Sequence, residues 1–451
     1  MTDLDMNATQ NQLDPAAEIR RTVRRARHAA RILAALSNER RNEALLAAAD
    51  ALEARADEIL AANEKDCAAA LPAVEHAEMS RAMFARLRTT ERGITEMAAR
   101  VRDVARLPDP LHRRLAVTEL DDKLVLYKET CPLGVVGVVF ESRPDVVPQI
   151  ASLALKSGNA VCLKGGAEAA ETNSTLVSIW SDALSAFPDI PPDSVVLFHT
   201  REDVAQILTL HDEIDLIIPR GSNEFVRYVT ENSRIPVLGH GEGICHVYVH
   251  ADADLRKALD VAFDSKVQYP AVCNAVETLL VHRDIAPGFL PEMIRMYREA
   301  GVEVRGCPRT MELAAGQQVV PATEDDWKKE YSDLIISIKV VDGVNEAIDH
   351  INRYGSRHTE SIVTESHDVA ARFMEFVDAA NVFQNASTRF SDGFRYGLGA
   401  EVGISTGKLH ARGPVGLEGL TTYKYKLFGE GQTVASYAKG LRTFKHRLIA
   451  E

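Results

Sequence analysis

The sequence predicts an α/β protein of two domains, a Rossmann-type parallel-sheet domain followed by a second α/β domain, with a β-hairpin set apart from both. Three observations predict it. From Gly134 to Val249 short apolar runs alternate with amphipathic segments, and parallel strands need crossover connections that helices supply. The same alternation resumes after Asp252. The 451 residues, 46% hydrophobic and 26% charged, are enough for two substantial cores.

Taken in order, Met1 to Asp14 is polar and lacks an apolar centre, so a disordered tail is expected there, neither a secretory signal nor a transit peptide. Asp14-Pro15 reads as a helix start, with Ile19, Val23, Ala26, Ala30 and Leu33 at helical spacing. Arg20, Arg21, Arg24, Arg25 and Arg27 on that helix read as a solvated face rather than a phosphate-binding patch. A second helix is expected from Ser37-Asn38 through Leu60 and a third amphipathic region from Met83 to Val104. Leu115 to Leu120 and Lys123 to Glu129 around Asp121-Asp122 predict a hairpin, a plausible contact between subunits of a homo-oligomer.

The expected divisions are residues 15–255 for the helices, hairpin and Rossmann-type domain, 256–385 for the second domain, and 386–451 for site loops and a segment returning to the first domain. In the first domain, strands are expected at Val135 to Phe140, Ala160 to Leu163, Val195 to Phe198, Ile214 to Ile218, Val237-Leu238 and Val247 to Val249. In the second, they are expected at Thr278 to Val281, Leu334 to Val341, Ser361 to Thr364 and Val382-Phe383, with a capped helix after Asp252. The glycine-rich stretch Asn385 to Lys426 suits loops lining a cleft.

Composition excludes several classes. A net charge of −13 argues against a nucleic-acid binder, and no apolar run approaches a membrane span. Cys67, Cys131, Cys162, Cys245, Cys273 and Cys307 form no paired spacing, so neither a disulfide framework nor a structural metal is expected, and the cytoplasm is the expected compartment.

Cys273 has the most telling surroundings. It lies in the proline-broken loop Gln268 to Ala275, just before an apolar strand, where a thiol can be partly exposed and neighbouring N–H groups can favour its thiolate. For a dinucleotide, Arg220, Gly221 and Ser222 supply a cation, a glycine and a cap hydroxyl at a strand-to-helix turn suited to a pyrophosphate. Lys164 ends another strand where a nucleotide can be reached. The absence of a carboxylate at that strand end tilts the choice to NADPH. Gly239-His240-Gly241-Glu242-Gly243 reads as a turn bringing backbone close to the catalytic centre.

Six motifs in one order, Gly134 to Asp145, Leu163 to Gly166, Pro219 to Asn223, Cys273 to Thr278, Asn385 to Phe390 and Gly399 to His410, resemble the aldehyde dehydrogenase superfamily and, within it, the branch that reduces gamma-glutamyl phosphate. The resemblance spans nearly all of Asp14 to Lys445. It implies an aldehyde dehydrogenase-like fold and NADPH-dependent reduction of L-glutamate 5-phosphate to L-glutamate 5-semialdehyde, in proline biosynthesis, through a thioester on Cys273. Ser142 and Arg143 are then the candidates for a second oxyanion donor. His240 stands where hydrolytic members carry a base for water, and Glu330 where the nicotinamide ribose is held. Asn385, Ser387, Arg389, Arg395 and Lys408 are the substrate-binding candidates. A functional association with glutamate 5-kinase follows from the same likeness, with that kinase expected as a separate protein. The alternatives are a phosphorylating or hydrolytic dehydrogenase of another small aldehyde and a silent nucleotide-binding scaffold.

Overall fold

A computed structural model describes residues 15–450 except 77, 240, 315 and 410. The chain forms two compact units, one of Met1–Gly221, Tyr228–Val237 and Leu420–Glu451, the other of Ser222–Arg227 and Leu238–Gly419. The expected disordered tail and His240 lie outside the described residues.

The first unit opens with helices α1 (Pro15–Leu33), α2 (Asn38–Ala54), α3 (Ala56–Glu75), α4 (Arg81–Leu87) and α5 (Glu91–Arg106). The apolar positions Ile19, Val23, Ala26, Ala30 and Leu33 of α1 are all buried. Its arginines form a solvated face, as expected, with Arg20, Arg21, Arg24 and Arg25 exposed and most of the cluster in surface ion pairs. Arg20 and Arg24 pair with Glu213, Arg25 with Asp193 and Arg27 with Asp215. The helix expected to continue through Leu60 breaks at Arg55, whose backbone leaves helical geometry while its guanidinium binds Glu58 and Asp182. No proline or glycine marks that break. The region from Met83 is likewise two helices, because the Thr90 side chain accepts from Gly93 N and starts α5 afresh.

The hairpin is β1 (Arg114–Asp121) and β2 (Leu124–Pro132), turned at Asp122-Lys123 with Lys123 left-handed. Then come β3 (Val135–Phe140), α6 (Val146–Lys156), β4 (Ala160–Lys164), α7 (Ala170–Leu184), β5 (Val195–Phe198), α8 (Arg201–Ile207), β6 (Leu216–Arg220) and α9 (Asn223–Asn232). The parallel sheet runs β5-β4-β3-β6, and Val237 adds a single parallel bridge to Ile217. Strand order therefore reverses at β3, whose Phe140 lies in register with Arg220, and open α/β sheets bind ligands at such a switch point. At Gly137 a Cβ would lie 2.5 Å from the buried Ile217 Cδ1, so that side chain occupies the space a larger residue would need.

The second unit contains β7 (Cys245–Val249), α10 (Leu255–Val267), β8 (Val276–His282), α11 (Ala286–Glu299), β9 (Glu303–Gly306), α12 (Pro308–Glu312), β10 (Val320–Pro321), β11 (Ile335–Val341), α13 (Val344–Tyr354), β12 (Thr359–Val363), α14 (His367–Phe376), β13 (Asn381–Gln384), β14 (Gly403–Ser405) and β15 (Gly413–Val415). Its seven-stranded sheet, β10-β9-β11-β8-β7-β12-β13, is parallel throughout. Leu279 and Val281 of the central β8 join one core with Phe289 and Met293, whereas Leu280 joins another with Ile348 and Phe373. Both faces are thus covered, as a parallel sheet requires. One expectation changes. β7, read with the first domain, pairs with β8 and β12, because an apolar strand does not reveal which sheet takes it. The helix expected after Asp252 is capped by Asp254, while Asp252 accepts from Thr364.

The chain then adds β16 (Thr421–Phe428), α15 (Val434–Ala438) and β17 (Arg447–Ala450), so the stretch read as loops also holds the β14–β15 hairpin and a long strand. An antiparallel sheet, β16-β2-β1-β17, results. It leaves Tyr425, Leu427 and Phe428 on one edge strand and Leu448 and Ile449 on the other more than half exposed. Among the described residues no helix is long and apolar enough to cross a membrane, and no group of three histidine, cysteine or acidic side chains could hold a metal ion.

Candidate active site

In the second unit, Cys273 is half-buried on the loop between α10 and β8. Val272 O accepts from Ala275 N at 2.9 Å, closing a tight turn over Cys273-Asn274, and Asn274 Nδ2 ties that turn to Ser391 O at 2.7 Å. Behind it, Gly243 lies so close that a Cβ would stand 2.2 Å from Cys273 O and 2.5 Å from its Cα. Only a residue without a side chain permits that approach. The buried Cys245 Sγ donates to the same carbonyl at 3.2 Å.

The thiol is pushed up to about 12, first by burial and then by the carboxylates Glu330 and Glu401, with the Arg389 cation and the local backbone N–H acting in the opposite direction. The thiolate expected from exposure and backbone donors is therefore not favoured in the ligand-free chain, because desolvation outweighs those donors. Alkylation of the Cys273 peptide by iodoacetamide should accordingly rise about tenfold per pH unit from roughly pH 7 to 10, since the thiolate fraction grows in that proportion below the pKa. A plateau near pH 8.5, the ordinary thiol range, would show that burial does not raise this thiol.

Arg389 is buried, and its Nε donates to Gln268 Oε1 at 2.9 Å, so the residue that opens the cysteine loop also fixes this cation. Ser387 starts the turn carrying Arg389, its Oγ accepting from Arg389 N at 3.2 Å and from Ser265 Oγ at 3.2 Å. Asn385, left-handed, spends its amide on the backbone of Thr364 in both directions. These two side chains shape the loop rather than present themselves to a ligand. Arg395 Nη1 donates to Arg389 O at 2.8 Å. Lys408 pairs with Asp378 at 2.9 Å beside Arg412, so its charge is already partly matched. Glu330 Oε2 accepts from Asn223 Nδ2 at 2.9 Å, and Ser222 Oγ from Phe225 N at 3.4 Å.

In the first unit, Ser142 is buried and left-handed directly after β3. Its N and its Oγ both donate to Glu168 Oε1, at 2.7 and 2.6 Å. Both donors are committed to that carboxylate. Arg143 lines a cavity of about 330 Å³ with Arg86, Arg88, Arg100, Thr89 and Thr90. Lys164, buried at the end of β4, donates to Gly165 O at 2.5 Å, and Arg220 Nη1 donates to Gln149 Oε1 at 2.9 Å. Gly221 is exposed ahead of α9.

The residues present fit a nicotinamide dinucleotide. At the switch point the unit offers a cation, exposed backbone at a helix start and a lysine, which is donor chemistry suited to phosphates. The one acid near β4, Glu168, points back to Ser142 and is not offered to a ribose. The turn through Gly243, expected to bring backbone close to the catalytic centre, does so against Cys273, whereas the contacts of Glu168, Glu401 and Gln268 escaped the sequence reading. Glu401 stood inside a quoted motif, and Glu168 followed the Lys164 motif by two residues, but nothing linear announces what a carboxylate contacts.

A model of the aldehyde dehydrogenase family matches residues 6–316. The gamma-glutamyl phosphate reductase of Haloquadratum walsbyi is 56% identical over 418 residues, covering 92% of this chain and 91% of that protein. The crystal structure of the gamma-glutamyl phosphate reductase of Thermotoga maritima superposes with a TM-score of 0.89 at 42% identity, over 92% of this chain and 99% of that one. A glyceraldehyde-3-phosphate dehydrogenase of Methanocaldococcus jannaschii, complexed with NADP, shares the fold at 16% identity and a TM-score of 0.64, over 92% of this chain and 95% of that one.

Proposed function

The chain belongs to the aldehyde dehydrogenase family and, within it, to the gamma-glutamyl phosphate reductases, and from that premise we propose how its residues divide the work. The reaction is the reduction of L-glutamate 5-phosphate to L-glutamate 5-semialdehyde with release of phosphate, a step of proline biosynthesis. Cys273 Sγ gives up its proton and attacks the acyl carbon, the bond from that carbon to the phosphate oxygen breaks, and phosphate leaves with the electron pair and takes up the proton. A glutamyl thioester remains on Cys273, so one difficult reduction becomes two easier steps. When bound, a reduced nicotinamide would supply a hydride to the thioester carbon, which leaves a thiohemiacetal on Cys273. The thiohemiacetal then collapses, the carbon–sulfur bond breaks, and the thiol takes back a proton.

The observation that carries this reading is one half-buried thiol on a loop whose first residue, Gln268, also fixes the buried Arg389 cation. The Cys273 backbone N–H and Arg143 are the proposed oxyanion donors. Arg389 and Arg395 are the proposed anion contacts for the substrate, arginine being suited to bidentate binding. Lys164, Arg220, Gly221 and Ser222 would hold the phosphates of the cofactor and Glu330 its nicotinamide ribose. NADPH is the preferred form, on the ground that no carboxylate is offered at the end of β4. The free cysteines suit a reducing cytoplasm.

The test is run in the oxidative direction with glutamate 5-semialdehyde. Reduction of NADP should require inorganic phosphate in equal amount, whereas turnover without phosphate would favour a hydrolytic dehydrogenase. The antiparallel sheet is proposed to join copies of the chain. Tyr425→Glu with Phe428→Glu should shift sedimentation to the monomer, and an unchanged species would argue against that contact.

A further inference from the structure

We propose that Lys266 and Glu277 are positioning residues, a buried brace that fixes the Cys273 loop and the Glu330 turn relative to each other and thereby sets the rate of acyl transfer. The proposal rests on the reductase reading through the role of Cys273.

Lys266 closes α10 and Glu277 is the second residue of β8, so the pair stands at the two ends of the nucleophile loop. Their Nζ and Oε2 are 2.7 Å apart, with side chains 0% and 1% exposed. Two charges removed from water to that degree are costly, and their mutual attraction offsets the cost only when the geometry is good and the remaining lone pairs are used. The second carboxylate oxygen is used. Glu277 Oε1 accepts from Ser332 N at 3.2 Å.

Ser332 is left-handed, a conformation that a residue with a side chain holds only when its surroundings impose it. It lies two residues beyond Glu330, the proposed ribose contact. One carboxylate therefore joins the end of α10, the start of β8 and the turn carrying Glu330. Burial pushes Glu277 up to about 7 and Lys266 down, while each partner opposes the other's shift. Neither group touches the sulfur, so the brace acts through geometry. A small misplacement of reacting groups costs rate far more than it costs binding.

The test compares Lys266→Met, Glu277→Gln and the apolar pair Lys266→Met with Glu277→Leu, which avoids leaving a lone buried charge. Single-turnover phosphate release, steady-state kcat and KM, and melting temperature are measured on each. The single variants should lose at least about tenfold in phosphate release and kcat, with substrate KM within about twofold. The apolar pair should recover melting temperature without recovering kcat. A folded apolar pair with the kcat of the parent would overturn the proposal, because a merely structural pair predicts that outcome. Parent protein that releases no phosphate would instead sink the reductase reading. Should no variant fold, hydrogen exchange on the parent decides: Ser332 N–H should be protected like the amides of β8, and free exchange there contradicts the brace.

Discussion

Cys273→Ala is expected to abolish reduction, with a loss on the order of 10⁴-fold or more in kcat, the scale on which removal of a covalent nucleophile is felt. That corresponds to roughly 5 kcal/mol or more of transition-state stabilisation. NADPH affinity should stay within about twofold, because the proposed cofactor contacts Lys164, Arg220 and Glu330 do not depend on the sulfur. Stability should change little as well, since the thiol is only half-buried. Stopped-flow absorbance and cofactor fluorescence titration read the two quantities separately. Retained turnover would remove the covalent step, and a parallel loss of cofactor binding would mean that the loop itself had collapsed.

A second large effect is expected at a position that carries no side chain. In Gly243→Ala the new Cβ would stand 2.2 Å from Cys273 O, 2.5 Å from its Cα and 2.7 Å from its carbonyl carbon. All three are backbone atoms of a loop already pinned by the Ala275–Val272 and Asn274–Ser391 hydrogen bonds, so relief requires moving the nucleophile. Overpacking of this kind costs about 1–3 kcal/mol of stability, and displacing the sulfur by about 1 Å costs on the order of 10²-fold in rate. Gly241 is the control, because a Cβ there meets nothing within 4 Å. Gly241→Ala should keep activity and melting temperature close to the parent. Equal behaviour of the two variants would show that close approach to Cys273 is not what glycine provides at 243.

These effects differ in how far the sequence foretells them. The Cys273 loop is legible because proline interrupts the helix and an apolar strand follows at once, leaving the thiol in a turn. The parallel sheets are legible for a similar reason, since runs such as Val135 to Phe140 are too apolar and too short to be anything but covered strands, and the structure buries every residue of that run. Partnership is what the linear chain conceals. Arg389 and Gln268 are more than a hundred residues apart and meet only because α10 and the turn after β13 converge. Ser142 looks like a ready donor until Glu168, folded back from the following turn, takes both its hydrogens. Lys408 reads as an available cation, yet the Asp378 carboxylate holds it. The thiol's own pKa belongs to the same class, because burial and neighbouring carboxylates act through space.

The covalent step is tested most directly by trapping its intermediate. The protein is mixed with L-glutamate 5-phosphate without reduced cofactor, quenched in acid, digested and examined by mass spectrometry. One glutamyl group should appear on the peptide carrying Cys273, should vanish when phosphate is added before the quench, and should be missing from Cys273→Ala. A glutamyl group on any other residue, or full reductase activity with Cys273 never acylated, would contradict it.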